Sequence, residues 1–397
     1  MVIRASERMS KKEGHFLAQQ QEDIKKLQLE GFDVINLGRG NPDQATFPAI
    51  VDKFKEYTDN PLNHGYPPYG GKDNLKESII QFYKDNYDVS LEKDEVTIFS
   101  GSAAALTALP MVLVNPGENV LTPDPAFFGY ATGVRMAEGN NILMPLSAET
   151  NYLPDLTTFS KPTLENTKMM FLNYPHNPTG AGATTEFFDD VVTFAKANDI
   201  VVAHDFAYGD ISFDKETPSF LQSSGSKDIG VEIYTLSKTF NMAGWRIAFA
   251  VGNKEVISLI SDYIRSSVGG TFGAIQDAVA YGLTHSNQER KALRDLYGER
   301  KNAVIEALNQ SDFEVLDSAG SFFLWLKLPD FYNDDIDFAN HLLQEEKLAL
   351  VAGSTFGSAG KGYIRISLVS NLEELLEGVS RLQRFSQKHR KDSYARS

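Results

Sequence analysis

Short apolar runs alternate with helical periodicity in the middle of the chain, between residues 95 and 251. Runs this short, with few polar positions, are typical of strands covered on both faces, as in a parallel sheet flanked by helices. The pattern therefore predicts an α/β fold with a mainly parallel sheet. The predicted strands are Val96–Phe99, Asn119–Thr122, Met169–Leu172, Ile200–Ala203, Ile233–Leu236 and Ile247–Val251.

Two segments between these runs have apolar residues at helical spacing. One helix begins near Asp73 and presents Leu75, Ile79, Phe82 and Tyr83. Thr185 is the predicted N-cap of the other, whose stripe consists of Phe187, Phe188, Val191, Val192 and Ala195. In such a sheet the carboxyl ends of the strands form the ligand crevice. Residues just past each strand are therefore the candidates for function.

The pattern changes after about His285 and predicts a second, smaller α+β domain. A long charged helix reaches Asn309, and strands and helices then follow in mixed order to a final helix from Leu372. We expect an N-terminal segment at residues 1–55 that packs on the small domain. The large domain is then 56–288, and the small domain is 289–397.

Charge and cysteine content limit the function. The chain has 397 residues with a net charge of −15, which disfavours nucleic acid and anionic membranes as partners. The absence of cysteine excludes disulfides, thiolate metal sites and cysteine nucleophiles. No apolar run approaches the ~20 residues that span a bilayer, and Met1–Gly14 has no secretory apolar core. We expect a cytoplasmic protein that acts on small molecules and has no metal site.

A loop of small residues, Ser100–Leu106, lies between a predicted strand and an apolar helix. Backbone N–H groups at such a helix start bind phosphate, although tight packing turns have the same composition. Lys238 lies at another strand end, between hydroxyl residues, and Arg246 follows after a glycine. A lysine here can form a Schiff base with a carbonyl while Thr235, Ser237 and Arg246 bind an attached anion. A solvated loop lysine is the alternative.

The stretch from Tyr234 to Arg246, YTLSKTFNMAGWR, resembles the cofactor-lysine motif of class I/II aminotransferases, and the resemblance extends over nearly the whole chain. It implies fold type I of the pyridoxal 5′-phosphate (PLP) enzymes, with a mainly parallel seven-stranded sheet between helices and a smaller α+β domain. It also implies that Lys238 is the catalytic residue that carries PLP. Thr235 departs from the usual Ser or Gly but keeps a hydroxyl group for the phosphate. Ser102, Ala103 and Ala104 would contribute to the same phosphate site.

Further positions match the family one by one. Asn177, in a segment resembling the Asn-Pro-Thr-Gly turn, would bind the cofactor's ring oxygen, together with Tyr208. Asp205 would keep the pyridine nitrogen protonated, so that the ring accepts electrons from the substrate Cα–H bond. Phe127 would stack on the ring. The alternatives are a Pro-Gly turn at Asn177, a helix cap at Asp205 and core packing at Phe127.

The resemblance also assigns substrate and partner contacts. Arg365 would bind the substrate α-carboxylate, with Asn177 and the backbone of Gly40, whereas strand alternation alone leaves Arg365 on a solvated face. A turn glycine is the other explanation for Gly40. Tyr66 would reach the phosphate of a neighbouring subunit, which implies a homodimer with shared active sites.

The implied function is transfer of an α-amino group between an amino acid and a 2-oxo acid by a ping-pong mechanism. The segments around Arg39 and Lys238 look most like bacterial enzymes for methionine, aromatic or related neutral amino acids, although Arg39 leaves acidic side chains open. A PLP lyase, decarboxylase or racemase on the same scaffold is the nearest alternative. A ligand-sensing module would need an added DNA-binding domain, for which we see no candidate. A dinucleotide dehydrogenase would need a three-glycine loop that Ser100–Leu106 lacks.

Overall fold

The protein is described by a computed structural model that covers residues 3–10, 15–213, 217–267, 269–309, 311–332 and 334–396. Residues 1, 2 and 11–14 of the predicted N-terminal segment and residue 397 at the chain end lie outside the described residues. No helix in the described ranges is both long and apolar enough to cross a membrane.

Thirteen strands and fifteen α-helices are present in the described residues. The strands are β1 Ile35–Asn36, β2 Val96–Phe99, β3 Asn119–Asp124, β4 Asn140–Pro145, β5 Thr167–Leu172, β6 Val201–Asp205, β7 Gly230–Thr235, β8 Ala248–Gly252, β9 Glu314–Val315, β10 Phe323–Lys327, β11 Leu348–Ala349, β12 Val351–Ala352 and β13 Tyr363–Ser367. The helices are α1 Glu7–Ser10, α2 His15–Leu29, α3 Pro48–Thr58, α4 Asp73–Tyr87, α5 Ser102–Leu113, α6 Gly129–Met136, α7 Lys161–Glu165, α8 Thr185–Asn198, α9 Ser226–Ile229, α10 Leu236–Thr239, α11 Lys254–Ser266, α12 Gly273–His285, α13 Asn287–Leu308, α14 Asp335–Glu346 and α15 Leu372–Arg396.

The central sheet has seven strands in the order β2-β8-β7-β6-β5-β3-β4, and only β8 runs antiparallel to its neighbours. This confirms the mainly parallel seven-stranded sheet, and each predicted strand overlaps an observed one. The pattern did not reveal β4, because this edge strand is largely exposed and carries polar and proline residues.

Helices cover both faces of this sheet, and successive residues of a strand enter opposite cores. In β5, Met169 and Phe171 pack with α5 and α11, whereas Met170 and Leu172 pack in the core that includes α4 and α8. The α8 stripe is buried as predicted, except that Phe187 is only partly buried. The prediction for its cap was wrong by one residue: Thr184, not Thr185, is the N-cap and accepts a hydrogen bond from the backbone N–H of Phe187.

The C-terminal part contains a four-stranded antiparallel sheet in the order β12-β13-β10-β9. Strand β1 pairs with β11, and Ile24 and Leu27 of α2 pack on Leu343 and Ala349, so this part of the N-terminal segment contacts the C-terminal part. The predicted boundaries at residues 55 and 288 fall inside α3 and in the first turn of α13. The division into domains stays a prediction.

Candidate active site

A cavity of about 500 Å³ lies at the carboxyl edge of the central sheet. The turns after β2, β3, β5, β6 and β7 reach it, and the antiparallel β8 places its preceding residues at the same edge. Residues from β13 and from the segment after β1 close the other side. The predicted site residues that line the cavity are Gly40, Ser102, Ala103, Phe127, Asn177, Asp205, Tyr208, Thr235, Ser237, Lys238, Arg246 and Arg365.

One end of the cavity is arranged to bind an anion. Gly101 caps α5 with a φ of +92°, and a Cβ there would lie 2.5 Å from Nη2 of Arg246. Only glycine therefore lets the guanidinium lie against the start of this helix. The hydroxyl of Thr235 donates to that of Ser237 over 2.9 Å. Two hydroxyls, a cation and a helix N-terminus thus line the same cavity, and this combination suits a phosphate group.

Lys238 follows β7 and extends towards the N-terminal segment. Its Nζ donates a 2.6 Å hydrogen bond to the carbonyl oxygen of Gly40, 198 residues away in sequence. Burial and the positive charges of Arg365 and Arg246 lower the pKa of Lys238 to about 8, although Asp205 opposes this. About a tenth of the amine is then neutral at pH 7, far more than for an ordinary lysine, and the neutral amine is the form that attacks a carbonyl.

Asp205 ends β6 as a buried carboxylate that has one free oxygen. Its Oδ2 accepts a 2.8 Å hydrogen bond from the hydroxyl of Tyr130, and its Oδ1 has no partner. Nδ2 of Asn173 donates to the backbone oxygen of Asp205 over 2.7 Å and so fixes the strand end. Burial raises the pKa of Asp205, and the hydrogen bond from Tyr130 opposes that rise. A cationic N–H donor at Oδ1 would keep this carboxylate ionised.

Arg365 is buried, although strand alternation alone places it on a solvated face. Its Nη1 donates to Oδ1 of Asn177 over 2.8 Å, and its Nη2 donates to the carbonyl oxygen of Gly38 over 3.1 Å. The guanidinium also stacks on Phe323, 3.9 Å from the ring centroid, while Nε has no partner. Burial lowers the pKa of Arg365 to about 10. A buried guanidinium with unused donor capacity suits a carboxylate ligand.

Two predicted site residues do not line the cavity. Ala104 lies in the first turn of α5, where its N–H donates to the carbonyl oxygen of Gly101 and is not available to a phosphate. Tyr66 is fully exposed on the surface of the chain.

The sequence analysis gave no role to several residues that line the cavity. They are Leu17, Gln21, Phe128, Tyr130, Asn173, Phe323, Thr355 and Phe356. For Tyr130 one signal existed, because a tyrosine in an apolar segment needs a partner for its hydroxyl. Asn173 directly follows β5 and Phe128 follows Phe127, so their positions after strands were also a signal. No local pattern marks the other five, Leu17, Gln21, Phe323, Thr355 and Phe356, which come from distant elements.

The donor set fits PLP group by group. The anion end matches the phosphate, the neutral amine of Lys238 matches the aldehyde, and the partnerless Oδ1 of Asp205 matches a protonated ring nitrogen. Among the described residues, no group of three acidic or histidine side chains is placed to hold a metal ion.

Comparison with known proteins gives a consistent result. The sequence model of the family described as "Aminotransferase class I and II" matches residues 33–382. The L-glutamine–4-(methylsulfanyl)-2-oxobutanoate aminotransferase of Bacillus subtilis is 43% identical over 378 residues, which are 94% of this chain and 95% of that protein. An LL-diaminopimelate aminotransferase of Aquifex aeolicus is 40% identical over 356 residues, 89% of this chain and 92% of that protein. The substrate-bound structure of BacF from Bacillus subtilis has a TM-score of 0.93 at 38% identity, covering 97% of this chain and 98% of that one.

Proposed function

The chain belongs to the class I and II aminotransferase family, whose members use PLP, and we propose that it transfers the α-amino group of a neutral amino acid, methionine-like or aromatic, to a 2-oxo acid by a ping-pong mechanism. One observation carries the proposal. Lys238, the free oxygen of Asp205 and the buried guanidinium of Arg365 face the same cavity.

Each of these groups has a distinct task. Bound PLP supplies an aldehyde for covalent attachment and a ring that withdraws electrons from the substrate Cα. Nζ of Lys238 would hold the cofactor and later accept the proton from Cα. Asp205 would keep the ring nitrogen protonated, and Arg365 with Asn177 would hold the substrate carboxylate. Burial raises the pKa of Tyr208 above its ordinary value, so its hydroxyl stays protonated and can donate a hydrogen bond.

The uncharged residues that line the cavity support a neutral substrate. Leu17, Phe128 and Phe356 contribute apolar wall, and Gln21 is an uncharged polar lining residue. Arg39 lies there too, but its Nε donates to the backbone of Asn36 and its Nη2 is 3.6 Å from Glu374. A guanidinium already facing a carboxylate attracts a second one less. The two curated relatives described above are named for different substrates, so their names do not choose between side chains.

The proposal is tested by the half-reaction. The purified PLP enzyme is mixed with methionine, phenylalanine, glutamine or glutamate without any 2-oxo acid, and pyridoxamine phosphate and the new 2-oxo acid are measured. We expect one equivalent of each per active site, with a higher second-order rate constant of the half-reaction for the neutral donors. Release of CO₂ or a thiol instead would favour the decarboxylase or lyase alternative. The Lys238→Ala variant should form neither product, and borohydride should fix no cofactor at this position.

A homodimer with shared sites is part of the proposal. Tyr66 and Leu62 are almost fully exposed, and Tyr69 and Phe272 nearby are also accessible. Such an aromatic patch on a chain of net charge −15 is typical of an interface core. Tyr66 could then complete the anion end of the partner's cavity. We also propose a cytoplasmic location, since the sequence contains no cysteine.

A further inference from the structure

A second cavity, of about 450 Å³, lies behind the loop that carries Tyr208. Its walls are the last turn of α4, the segment after β6, and one face of the first turns of α13. None of its lining residues lines the active-site cavity. The proposed transamination leaves this space without a role.

The lining of this second cavity is positively charged. Arg290, Lys291 and Arg294 of α13 line it, whereas Asp210 is the one acidic residue among the described lining residues. This excess opposes the net charge of −15 of the whole chain. The cluster therefore has a local electrostatic cost, which a bound anion would offset.

Among the described residues, neighbouring acidic side chains pair with Arg290 and Lys291 but not with Arg294. Asp210 accepts a 2.8 Å hydrogen bond from Nη1 of Arg290 and another from the hydroxyl of Tyr234. Lys291 pairs with Asp295, but both side chains are more than half exposed, so this ion pair is weak. Arg294 makes no ion pair or hydrogen bond in the described part of the chain.

Two buried donors in the wall have no acceptor. The hydroxyl of Tyr87 and Nε of Arg290 lack hydrogen-bond partners, and each residue is only 8% exposed. The terminal nitrogens of Arg290 are engaged with Asp210 and with the side-chain oxygens of Asn86 and Asn287, and its guanidinium lies 4.8 Å from the Phe82 ring centroid. Asp210 thus already neutralises Arg290, and the cavity offers the unpaired guanidinium of Arg294 together with two unused donors.

We propose that this cavity binds a small oxyanion that carries two negative charges, either a phosphate group or a dicarboxylate. Arg294 supplies the unpaired positive charge and Lys291 a second charge at the surface, while Nε of Arg290 and the hydroxyl of Tyr87 are the unused donors in the wall. The site is separate from the cofactor phosphate and from Arg365, and it does not depend on the substrate of the enzyme.

Isothermal titration calorimetry of the PLP-loaded enzyme tests the proposal. Inorganic phosphate and malate are titrated separately at constant ionic strength, so that the two ligand sources are distinguished. Bound PLP occupies the cofactor's phosphate site and prevents binding of the titrated phosphate there. The variants are Arg294→Gln and Lys291→Gln/Arg294→Gln, with Lys161→Gln as the control because its side chain is 87% exposed on the distant helix α7. Circular dichroism and cofactor absorbance verify that each variant is folded.

We expect one saturable site per chain for at least one of the two anions. Its Kd should rise at least about tenfold in Arg294→Gln, since a lost hydrogen bond to a charged group has this effect, and should stay unchanged in Lys161→Gln. The double variant should bind more weakly still. The proposal is wrong if neither anion saturates, if Arg294→Gln binds like the unchanged enzyme, or if Lys161→Gln loses affinity equally.

Discussion

The hydroxyl of Tyr130 donates a hydrogen bond to Oδ2 of Asp205 over 2.8 Å and leaves Oδ1 of the same carboxylate free. Both residues are buried, and Phe171 stacks on the Tyr130 ring with a centroid distance of 4.9 Å. Packing thus fixes the donor, and the donor orients the carboxylate. Asp205 would therefore meet a bound cofactor with one oxygen already occupied and Oδ1 free to accept a hydrogen bond from the ring nitrogen.

The Tyr130→Phe variant should bind PLP about 10- to 100-fold more weakly, because a hydrogen bond to a charged group contributes about 1.5 to 3 kcal/mol. The loss also removes one interaction that opposes the raised pKa of Asp205. Titration of the apoenzyme, followed by the absorbance of bound cofactor, gives the dissociation constant. Tyr281→Phe, whose ring stacks on His285 away from the cavity, is the control. Equal PLP affinity in the two variants would show that Tyr130 does not contribute to cofactor binding.

Covalent attachment of PLP to the apoenzyme should accelerate with rising pH and level off above a midpoint near 8. Burial and Arg365 lower the pKa of Lys238 to about 8, and only the neutral amine attacks the aldehyde. The rate should rise roughly tenfold between pH 7 and 9. In Arg365→Gln the midpoint should move to higher pH, because one nearby positive charge is gone. Stopped-flow absorbance measures the rate, and a continued tenfold rise per pH unit up to pH 10 would mean an ordinary lysine.

Arg365→Gln should lower kcat/KM for methionine by roughly 30- to 5,000-fold, since truncating one partner of a buried charge pair costs about 2 to 5 kcal/mol. The amine that corresponds to methionine without its carboxyl group should react equally well with both enzymes. The ratio of the kcat/KM values for the two substrates separates a loss of carboxylate binding from general damage to the site. Arg384→Gln, at an exposed position on α15, should change neither value.

Mixing two inactive variants tests whether Tyr66 acts across a dimer. The Lys238→Ala and Tyr66→Ala chains are mixed in equal amounts, dissociated and reassembled. If Tyr66 serves the partner's site, each mixed dimer contains one site with both residues intact. Activity should then return to about a quarter of that of the unchanged enzyme. Should Tyr66 act within its own chain, mixing would restore no activity.

The corrected cap of α8 has a matched pair of variants. Thr184→Ala removes the acceptor of the Phe187 N–H and should lower the free energy of unfolding by about 0.5 to 2 kcal/mol. Thr185→Ala alters the neighbouring threonine, which is also exposed but makes no cap, and should have a smaller effect. Urea unfolding of the PLP enzyme gives both values. A larger loss in Thr185→Ala would restore the original prediction.

Sequence patterns predicted the strands of the sheet core and the residues that follow them. An apolar run and the residue after it are neighbours in the chain, so Asp205 and Lys238 are placed as soon as β6 and β7 are recognised. The edge strand β4 was missed because it is largely exposed and therefore has no continuous apolar run. The family resemblance added the assignments of Asn177 and Arg365, which composition and spacing alone left on a turn and a solvated face.

By itself, then, the sequence determined the sheet and the order of the motifs along it, and it indicated Lys238 as the proposed cofactor lysine, since each depends on residues close together in the chain. Only the tertiary structure decided which groups meet. Tyr130 and Asp205 are 75 residues apart, and Asn177 and Arg365 are 188 apart. Such contacts depend on how helices and sheets pack. Packing also buries each group, and burial shifts its pKa, so the pKa cannot be predicted from a local pattern of residues.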